Sequence, residues 1–192
     1  MIHLVLGGAR SGKSHFAESL VAASLQVESP QNGCGSEREK PALYEKQALY
    51  IATAEAKDNE MSARIAKHQA DRAVAAVRWQ TVEETKHLAC VLEQWSDPNR
   101  SILVDCLTLW VTNCLFTEPE DFWQKEKDAL LRVLPKLQGN IILVANEVGL
   151  GVVPIGEVTR KFVDEAGWLN QAIAKLADNV TFVAAGCPLT VK

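Results

Sequence analysis

The sequence has little of what marks secreted, membrane-spanning or nucleic-acid-binding proteins. Its five cysteines are scattered and form no C-x-x-C pair, which argues against a disulfide framework and against a zinc site. No apolar run reaches the roughly 18 residues that a membrane-spanning helix needs, and the net charge of -4 gives no sign of a nucleic-acid surface. The first residues lack the basic stretch of a signal peptide. We therefore expect a cytoplasmic protein whose thiols are reduced.

The composition instead suits one α/β domain spanning residues 1–192. Of these residues, 47% are hydrophobic, which is enough to bury a sheet between two layers of helices. Short apolar runs alternate with longer amphipathic runs. This alternation predicts a mainly parallel, doubly wound sheet with helices on both faces.

The same patterns give approximate bounds for the elements. Strands are predicted at 2–6, 49–52, 77–82, 101–105, 141–145 and 179–185, with a short edge strand in the tail. Helices are predicted at 13–25, 58–74, 83–95, 107–116, 118–137 and 157–176, the last interrupted at Gly167. The stretch 28–47 is polar and contains Gly and Pro, so we expect a flexible surface loop there.

The first predicted strand and helix flank a glycine-rich motif. It fits the P-loop pattern G-x-x-x-x-G-K-[ST] and consists of Gly7, Gly8, Ala9, Arg10, Ser11, Gly12, Lys13 and Ser14. Glycine at the first and sixth positions lets the backbone approach an anion closely, and the following helix adds the positive end of its dipole. The lysine can reach the β- and γ-phosphates, and the serine hydroxyl can ligate Mg²⁺. The motif predicts a nucleotide site, the alternative being a βα turn without a ligand.

Polar residues follow several other predicted strands at the same edge of the sheet. Asp105 ends an apolar strand, which is the form of a Walker B element whose carboxylate helps to hold Mg²⁺. Thr53 and Ala54 follow the second strand, and Asn146 and Glu147 follow the fifth. Ligands of open parallel sheets bind at the carboxyl ends of the strands, so we expect the site there. The glycine-containing loop 149–154 is either a mobile segment near substrate or an ordinary connector.

A basic stripe lies on the helix predicted at 58–74. Arg64, His68 and Arg72 are spaced i, i+4 and i+8 and therefore share one face. The guanidinium groups would attract a polyphosphate and disfavour protonation of the imidazole, leaving a ring nitrogen free as a nucleophile or base. Spacing alone favours the other interpretation, a solvated basic helix face.

Several stretches together resemble the bifunctional adenosylcobinamide kinase / adenosylcobinamide-phosphate guanylyltransferase family of cobalamin synthesis. They run in the family's order across nearly the whole chain, which makes the joint match far more specific than the P-loop. The matching stretches are 7–14, 50–55, 58–61, 64–65 with His68 and Arg72, 79–83, 105–113 and 146–154, followed by Arg160, Asp164, Gly167, Asn170, Gln171, Ala177 and Asp178. The loop at 28–47 looks like an insertion relative to the compact family pattern.

The resemblance implies two reactions. A nucleoside triphosphate phosphorylates the aminopropanol hydroxyl of adenosylcobinamide, and GTP then transfers GMP to that phosphate, giving adenosylcobinamide-GDP and pyrophosphate. It also implies that His68 carries the GMP as a guanylyl-histidine and that Lys13 is the second catalytic residue. Substrates would be ATP, GTP and the corrinoid; Mg²⁺ would be held by Ser14 and Asp105; and the protein would be a homo-oligomer, with a trimer as the expected form.

The nucleotide contacts implied by the family extend beyond the P-loop. They carry over to Ala52, Thr53, Ala54, Gln69, Ala70, Asp71, Arg72, Glu83 and Asp105. Two rival interpretations stay open from the residues alone: a small-molecule P-loop kinase without guanylyl transfer, and a non-enzymatic GTP-binding switch. Against the switch, the chain has no recognisable guanine-reading N/T-K-x-D motif.

Overall fold

The computed structural model describes residues 1–25, 47–55, 62, 63, 66, 70 and 77–192. Within them, seven strands form one sheet in the order β3-β2-β4-β5-β1-β6-β7. The strands are β1 (Ile2–Gly7), β2 (Gln47–Ala52), β3 (Trp79–Glu83), β4 (Arg100–Asp105), β5 (Asn140–Asn146), β6 (Asn179–Ala184) and β7 (Cys187–Thr190). All neighbouring pairs are parallel except β6 and β7, which form an antiparallel hairpin. The predicted parallel sheet and its short edge strand are confirmed.

Helices cover both faces of this sheet, as the alternating pattern predicted. They are α1 (Lys13–Leu25), α2 (Leu88–Trp95), α3 (Leu107–Leu115), α4 (Phe122–Val133) and α5 (Glu157–Leu176), with a short 3-10 turn at Leu134–Lys136. One face carries α1, whose Ala17 and Val21 are buried against the sheet. The other face carries α2 to α5 and the larger apolar cluster, which includes Trp110 and Trp123 with ring centroids 5.3 Å apart.

Side-chain alternation along the central strands assigns residues to these two faces. Val144 of β5 and Leu103 of β4 belong to the cluster on the α1 face, whereas Leu143 and Val104 belong to the opposite cluster. Residues two positions along each strand return to the same face. The carboxyl-terminal Asp105 and Asn146 therefore project towards the side on which α1 begins.

Three predicted boundaries are wrong. Glu83 is the last residue of β3 and does not open a helix. Helix α2 begins only at Leu88 because Glu84 Oε1 accepts hydrogen bonds from the backbone N–H of Lys86 (2.7 Å) and His87 (2.8 Å), which holds a turn instead. The predicted strand at 77–82 accordingly ends one residue later and begins at Trp79.

Helices α4 and α5 also differ from prediction. Residues 118–121 form a turn in which Phe122 N–H donates to the Pro119 carbonyl (2.8 Å), so α4 begins at Phe122. Helix α5 is continuous through Gly167. One glycine costs a helix interior only about 1 kcal/mol, and the buried Ala166, Leu169 and Ile173 hold the helix on the sheet on both sides of it.

Parts of two predicted elements lie outside the described residues. Residues 28–46 of the predicted loop lie outside the described residues. Its last residue, Gln47, is the first residue of β2 and not a loop residue. Within the predicted helix at 58–74, the structure describes only residues 62, 63, 66 and 70, which are helical. Among the residues that the structure describes, no helix has both the length and the apolar character needed to cross a bilayer.

Candidate nucleotide site

The P-loop connects β1 to α1 in a tightly turned backbone. Gly12 has φ +92° and Arg10 has φ 57°, and the first of these left-handed conformations explains glycine at the sixth position of the motif. Ser11 N–H donates to the Gly8 carbonyl at 3.3 Å, and Phe16 N–H donates to the Gly12 carbonyl at 3.0 Å, which begins the helical ladder. The loop thus leads directly into the amino end of α1, where free N–H groups favour an anion.

Lys13 lies within this loop. Only 8% of the residue is exposed, and its Nζ donates a hydrogen bond to the Gly8 carbonyl at 2.9 Å. A buried ammonium group is stable only where acceptors or negative charge surround it. The lysine therefore places a positive charge where the motif predicts phosphates.

The hairpin of β6 and β7 supports the P-loop from the other side. Gly186 N–H, in the turn between these strands, donates to the Ser11 carbonyl at 2.8 Å. A Cβ atom on Gly7 would lie 2.5 Å from both the Val183 carbonyl oxygen and Ser11 Oγ. Glycine at the first position of the motif is thus required by the close approach of β6 and of the loop itself.

The predicted contact residues of three strands lie side by side. Ala52 of β2 is the register partner of Glu83 on β3 and of Asp105 on β4. Thr53 follows Ala52, and its hydroxyl both donates to the Cys106 carbonyl (2.7 Å) and accepts from the Cys106 N–H (2.8 Å). The fold therefore brings Ala52, Thr53, Glu83 and Asp105 together at the carboxyl edge of the sheet.

Asp105 is fixed at the end of β4. Tyr50 donates its hydroxyl proton to Asp105 Oδ2 across 3.1 Å, and both residues project to the α1 face. The negative charge of Asp105 also affects its neighbour: burial first, and this charge second, raise the pKa of the Cys106 thiol to about 11. Cys106 is consequently a protonated thiol at neutral pH and not a nucleophile.

The end of β5 joins the same edge. Asn146 is the register partner of Gly7, and Glu147 N–H donates to the Gly7 carbonyl at 3.1 Å. Glu147 Oε1 in turn accepts the N–H of Gly149 at 2.6 Å. In the loop that follows, Leu150, Val152, Val153 and Ile155 are exposed.

The remaining predicted residues are placed less fully. Ala9 and Ser14 belong to the P-loop, and Ala54 comes two residues after the end of β2. Ala70 is an exposed helical residue. Arg64, His68, Gln69, Asp71 and Arg72 lie outside the described residues, so their predicted roles stay predictions. In the part of the chain that is described, no three His, Cys, Asp or Glu residues form a metal-binding group.

Two further residues of the site could not be assigned from the sequence. Tyr50 lies in an apolar run and looks like a core residue, although the period of two places it on the same face as Asp105. Thr108, at the start of α3, uses its Oγ1 to accept the Asn146 N–H at 2.7 Å. Its position in the sequence carries no signal of that contact.

The sheet, the P-loop and the carboxylate at its edge define a P-loop nucleotide-binding protein. The family model described as "Cobinamide kinase / cobinamide phosphate guanyltransferase" matches residues 32–191. The chain belongs to this family. Membership confirms the predicted enzyme class, a cobinamide kinase and cobinamide-phosphate guanylyltransferase that uses nucleoside triphosphates, and favours it over a kinase alone or a switch.

Curated relatives extend the match over the P-loop as well. The chain is 47% identical over 192 residues to the "Bifunctional adenosylcobalamin biosynthesis protein CobP" of Pseudomonas aeruginosa, covering 100% of this chain and 98% of that protein. It is 35% identical over 205 residues to the proteins named "Bifunctional adenosylcobalamin biosynthesis protein CobU" of Escherichia coli K12 and Salmonella typhimurium LT2, with 100% of each chain covered.

Two solved structures match this chain at low sequence identity. The KaiC-like protein PH0186 of Pyrococcus horikoshii OT3 is 12% identical with a TM-score of 0.46, covering 94% of this chain and 69% of that one. The protein PH0250 of the same organism is 9% identical with a TM-score of 0.49, covering 100% and 85%.

Proposed function

We propose that this chain carries out both family reactions at the edge of the sheet where the P-loop, Asp105 and Glu83 lie. It phosphorylates the hydroxyl of adenosylcobinamide and then joins GMP from GTP to the new phosphate. The observation that carries the proposal is the P-loop with its buried Lys13 on the same face of the sheet as Asp105. A buried cation at a glycine-rich turn, with a carboxylate on the same face of the sheet, suits a triphosphate with its metal ion.

In the kinase step, the P-loop holds the triphosphate. Backbone N–H groups of residues 7–14 and the Lys13 ammonium bind the β- and γ-phosphates and stabilise the charge on the oxygens of the transferred group. The substrate hydroxyl attacks the γ-phosphorus, the bond to the β-phosphate oxygen breaks, and the hydroxyl proton leaves to solvent or to a base. The products are the corrinoid phosphate and a nucleoside diphosphate.

In the guanylyl step, we assign His68 as the nucleophile. A neutral imidazole nitrogen attacks the α-phosphorus of GTP, forming a P–N bond as pyrophosphate leaves into the P-loop. A phosphate oxygen of the corrinoid then attacks the same phosphorus, the P–N bond breaks, and His68 is regenerated. Arg64 and Arg72 stabilise charge on the α-phosphate, and Ala52, Thr53, Ala54, Gln69, Ala70, Asp71 and Glu83 complete the nucleotide contacts.

The donor set fits Mg²⁺. This ion binds one or two carboxylates together with substrate phosphates and keeps several waters, and the site offers the Asp105 carboxylate and the Ser14 hydroxyl. Asp105 and Ser14 would hold the ion, whose charge would neutralise that of the phosphates. We further propose a cytoplasmic homo-oligomer, expected to be a trimer, with adenosylcobinamide bound beside this edge.

Covalent labelling tests the guanylyl step. The protein is incubated with Mg²⁺ and GTP labelled at the α-phosphate and is then denatured. We expect label that is labile to acid and stable to base, as a phosphoramidate is, and we expect His68→Ala to abolish it. His87→Ala is the matched control, because His87 is exposed and its Nδ1 is hydrogen-bonded to Glu126 of α4; it should retain the label.

Three results would separate the alternatives. The guanylyl-histidine intermediate would be ruled out if label persisted in His68→Ala. It would also be ruled out if the wild-type protein bound GTP without becoming labelled. Phosphate transfer from γ-labelled ATP to adenosylcobinamide, and its loss in Lys13→Ala, tests the kinase step independently. Thermal unfolding of each variant shows whether the fold is intact.

A further inference from the structure

Asn146 is a polar residue of the nucleotide edge to which neither the P-loop motif nor the metal site gives a role. It is the register partner of Gly7, the first residue of the P-loop. It also lies two positions beyond Val144, which belongs to the cluster under α1. The side chain therefore projects to the face on which α1 begins and Asp105 lies.

The side-chain oxygen of Asn146 is unusual. Oδ1 is inaccessible to solvent and has no hydrogen-bond partner among the described residues. The backbone N–H of Asn146, in contrast, has a partner, because it donates to Thr108 Oγ1 at 2.7 Å. Leaving a buried acceptor unsatisfied is unfavourable, and most such groups in folded proteins do have partners.

A second unpartnered group lies close by. Ser11 Oγ is likewise buried without a hydrogen-bond partner in the described part of the chain, and it approaches within 2.5 Å of the position of a Cβ on Gly7. Two unsatisfied polar atoms thus flank Gly7, at the point where the P-loop begins. Both atoms lie beside the predicted phosphate site, so a ligand bound there would meet two unpartnered polar atoms.

The neighbouring residue shows the contrast. Glu147 is next in sequence, but its Oε1 is satisfied by the Gly149 N–H and the strand alternation turns it to the other face. At the opposite end of β5, Asn140 Nδ2 donates to Ser101 Oγ at 3.3 Å. Of these three residues, Asn146 alone combines a buried unsatisfied atom with the α1 face.

We propose that Asn146 Oδ1 accepts a hydrogen bond from an O–H group that is present when the triphosphate and the corrinoid are bound for the kinase step. Two O–H groups have this chemistry: a water in the shell of Mg²⁺, and the corrinoid hydroxyl that attacks the γ-phosphate. The inference rests on the proposed function, since both groups belong to the kinase step. A carboxamide suits the task because it accepts a hydrogen bond without adding negative charge beside the phosphates.

Calorimetry and kinetics on Asn146→Ala, with Asn140→Ala as matched control, distinguish the two sources. If the partner is a metal-bound water, Asn146→Ala weakens GTP binding about tenfold with Mg²⁺ and leaves it unchanged in EDTA. If the partner is the attacking hydroxyl, GTP affinity is unchanged and the kinase kcat falls about tenfold. Asn140→Ala should stay within about twofold of wild type throughout.

Stability without nucleotide gives an independent readout. Removing an unsatisfied buried group should leave the urea midpoint of the ligand-free protein unchanged or higher. Asn146→Asp keeps the acceptor but adds a negative charge, which repels phosphates that carry no metal ion. The ratio of its GTP affinity with Mg²⁺ to its GTP affinity in EDTA should therefore be larger than the same ratio for wild type.

Three results would overturn the proposal. They are affinity and kcat within twofold of wild type in Asn146→Ala, a lower urea midpoint for that variant without nucleotide, and equal losses in Asn140→Ala. Wild-type protein that binds no GTP and phosphorylates no corrinoid would instead refute the proposed function, so the two failures are distinguishable.

Discussion

Tyr50 holds the carboxylate of Asp105 from the neighbouring strand. Its hydroxyl donates to Oδ2 at 3.1 Å, and its ring packs edge-on against Trp79 with centroids 5.9 Å apart. The tyrosine is thereby positioned by the aromatic contact on one side and positions the carboxylate on the other. Because β2 and β4 are adjacent and parallel, the pair also joins two strands at the site.

Tyr50→Phe should therefore weaken catalysis while the core stays packed. The phenyl ring keeps the contact with Trp79, but Asp105 loses one hydrogen bond worth about 0.5–1.5 kcal/mol. We expect the kinase kcat to fall by about 2- to 10-fold and more Mg²⁺ to be needed for half-maximal rate. Steady-state assays across a Mg²⁺ titration measure both effects.

Asp105→Asn provides the reference for that experiment. Removing the charge should lower the kinase rate by on the order of 100-fold, because electrostatic stabilisation of phosphoryl transfer is lost. If Tyr50→Phe matches wild type at every Mg²⁺ concentration while Asp105→Asn is inactive, the tyrosine does not position the carboxylate.

The P-loop glycines offer a matched pair. A Cβ on Gly7 would lie 2.5 Å from the backbone oxygen of Val183, whereas a Cβ on Gly8 would meet nothing within 4 Å. Gly7→Ala must displace backbone, so it should lower the free energy of unfolding by about 1–3 kcal/mol and impair GTP binding. Gly8→Ala should change the unfolding free energy by less than about 0.5 kcal/mol. Urea unfolding without nucleotide measures both free energies. Equal losses of unfolding free energy in Gly7→Ala and Gly8→Ala would contradict the close approach at Gly7.

Most of the sheet could be predicted from the sequence because the central strands are buried on both faces. Such strands read as short apolar runs, and those ending in Asp105 and Asn146 were located to within one residue. The helix starts at 83 and 118 could not be predicted, because acidic residues there also suit turns. The Glu84 carboxylate accepts hydrogen bonds from the N–H groups of Lys86 and His87, and these bonds hold a turn in place of the first turn of a helix.

The site was predictable only where a motif encodes it. The P-loop and the carboxylate after β4 follow from local patterns, because a phosphate site needs those residue types at that spacing. Contacts between distant strands have no such local pattern. The bonds from Tyr50 to Asp105 and from Thr53 to Cys106 join residues 55 and 53 positions apart, and only the register of β2 and β4 brings them together.

Thr53 should be important for stability as well as for the site. The residue is fully buried, and its hydroxyl satisfies both the N–H and the carbonyl of Cys106. Thr53→Val keeps the shape but leaves the Cys106 N–H without a partner, while the Cys106 carbonyl still accepts from the Trp110 N–H at 3.2 Å. We therefore expect a loss of about 1–3 kcal/mol in unfolding free energy. Thr53→Ser keeps the hydroxyl and should lose about 1 kcal/mol for the missing methyl group. Urea unfolding of the two variants should rank Ser well above Val, and the reverse order would refute the double hydrogen bond.

The thiols should differ in reactivity according to burial. Burial raises the pKa of Cys114 to about 12, and burial with the charge of Asp105 raises that of Cys106 to about 11, so neither forms appreciable thiolate between pH 7 and pH 9. Cys90 and Cys187 are exposed. In a Cys34→Ser background, iodoacetamide at pH 8 should modify Cys90 and Cys187 in the native protein and reach Cys106 and Cys114 only after urea unfolding. Peptide mass spectrometry measures each site separately. If native Cys106 reacted as fast as Cys187, the end of β4 would be open to solvent and Asp105 would not be held as the structure has it.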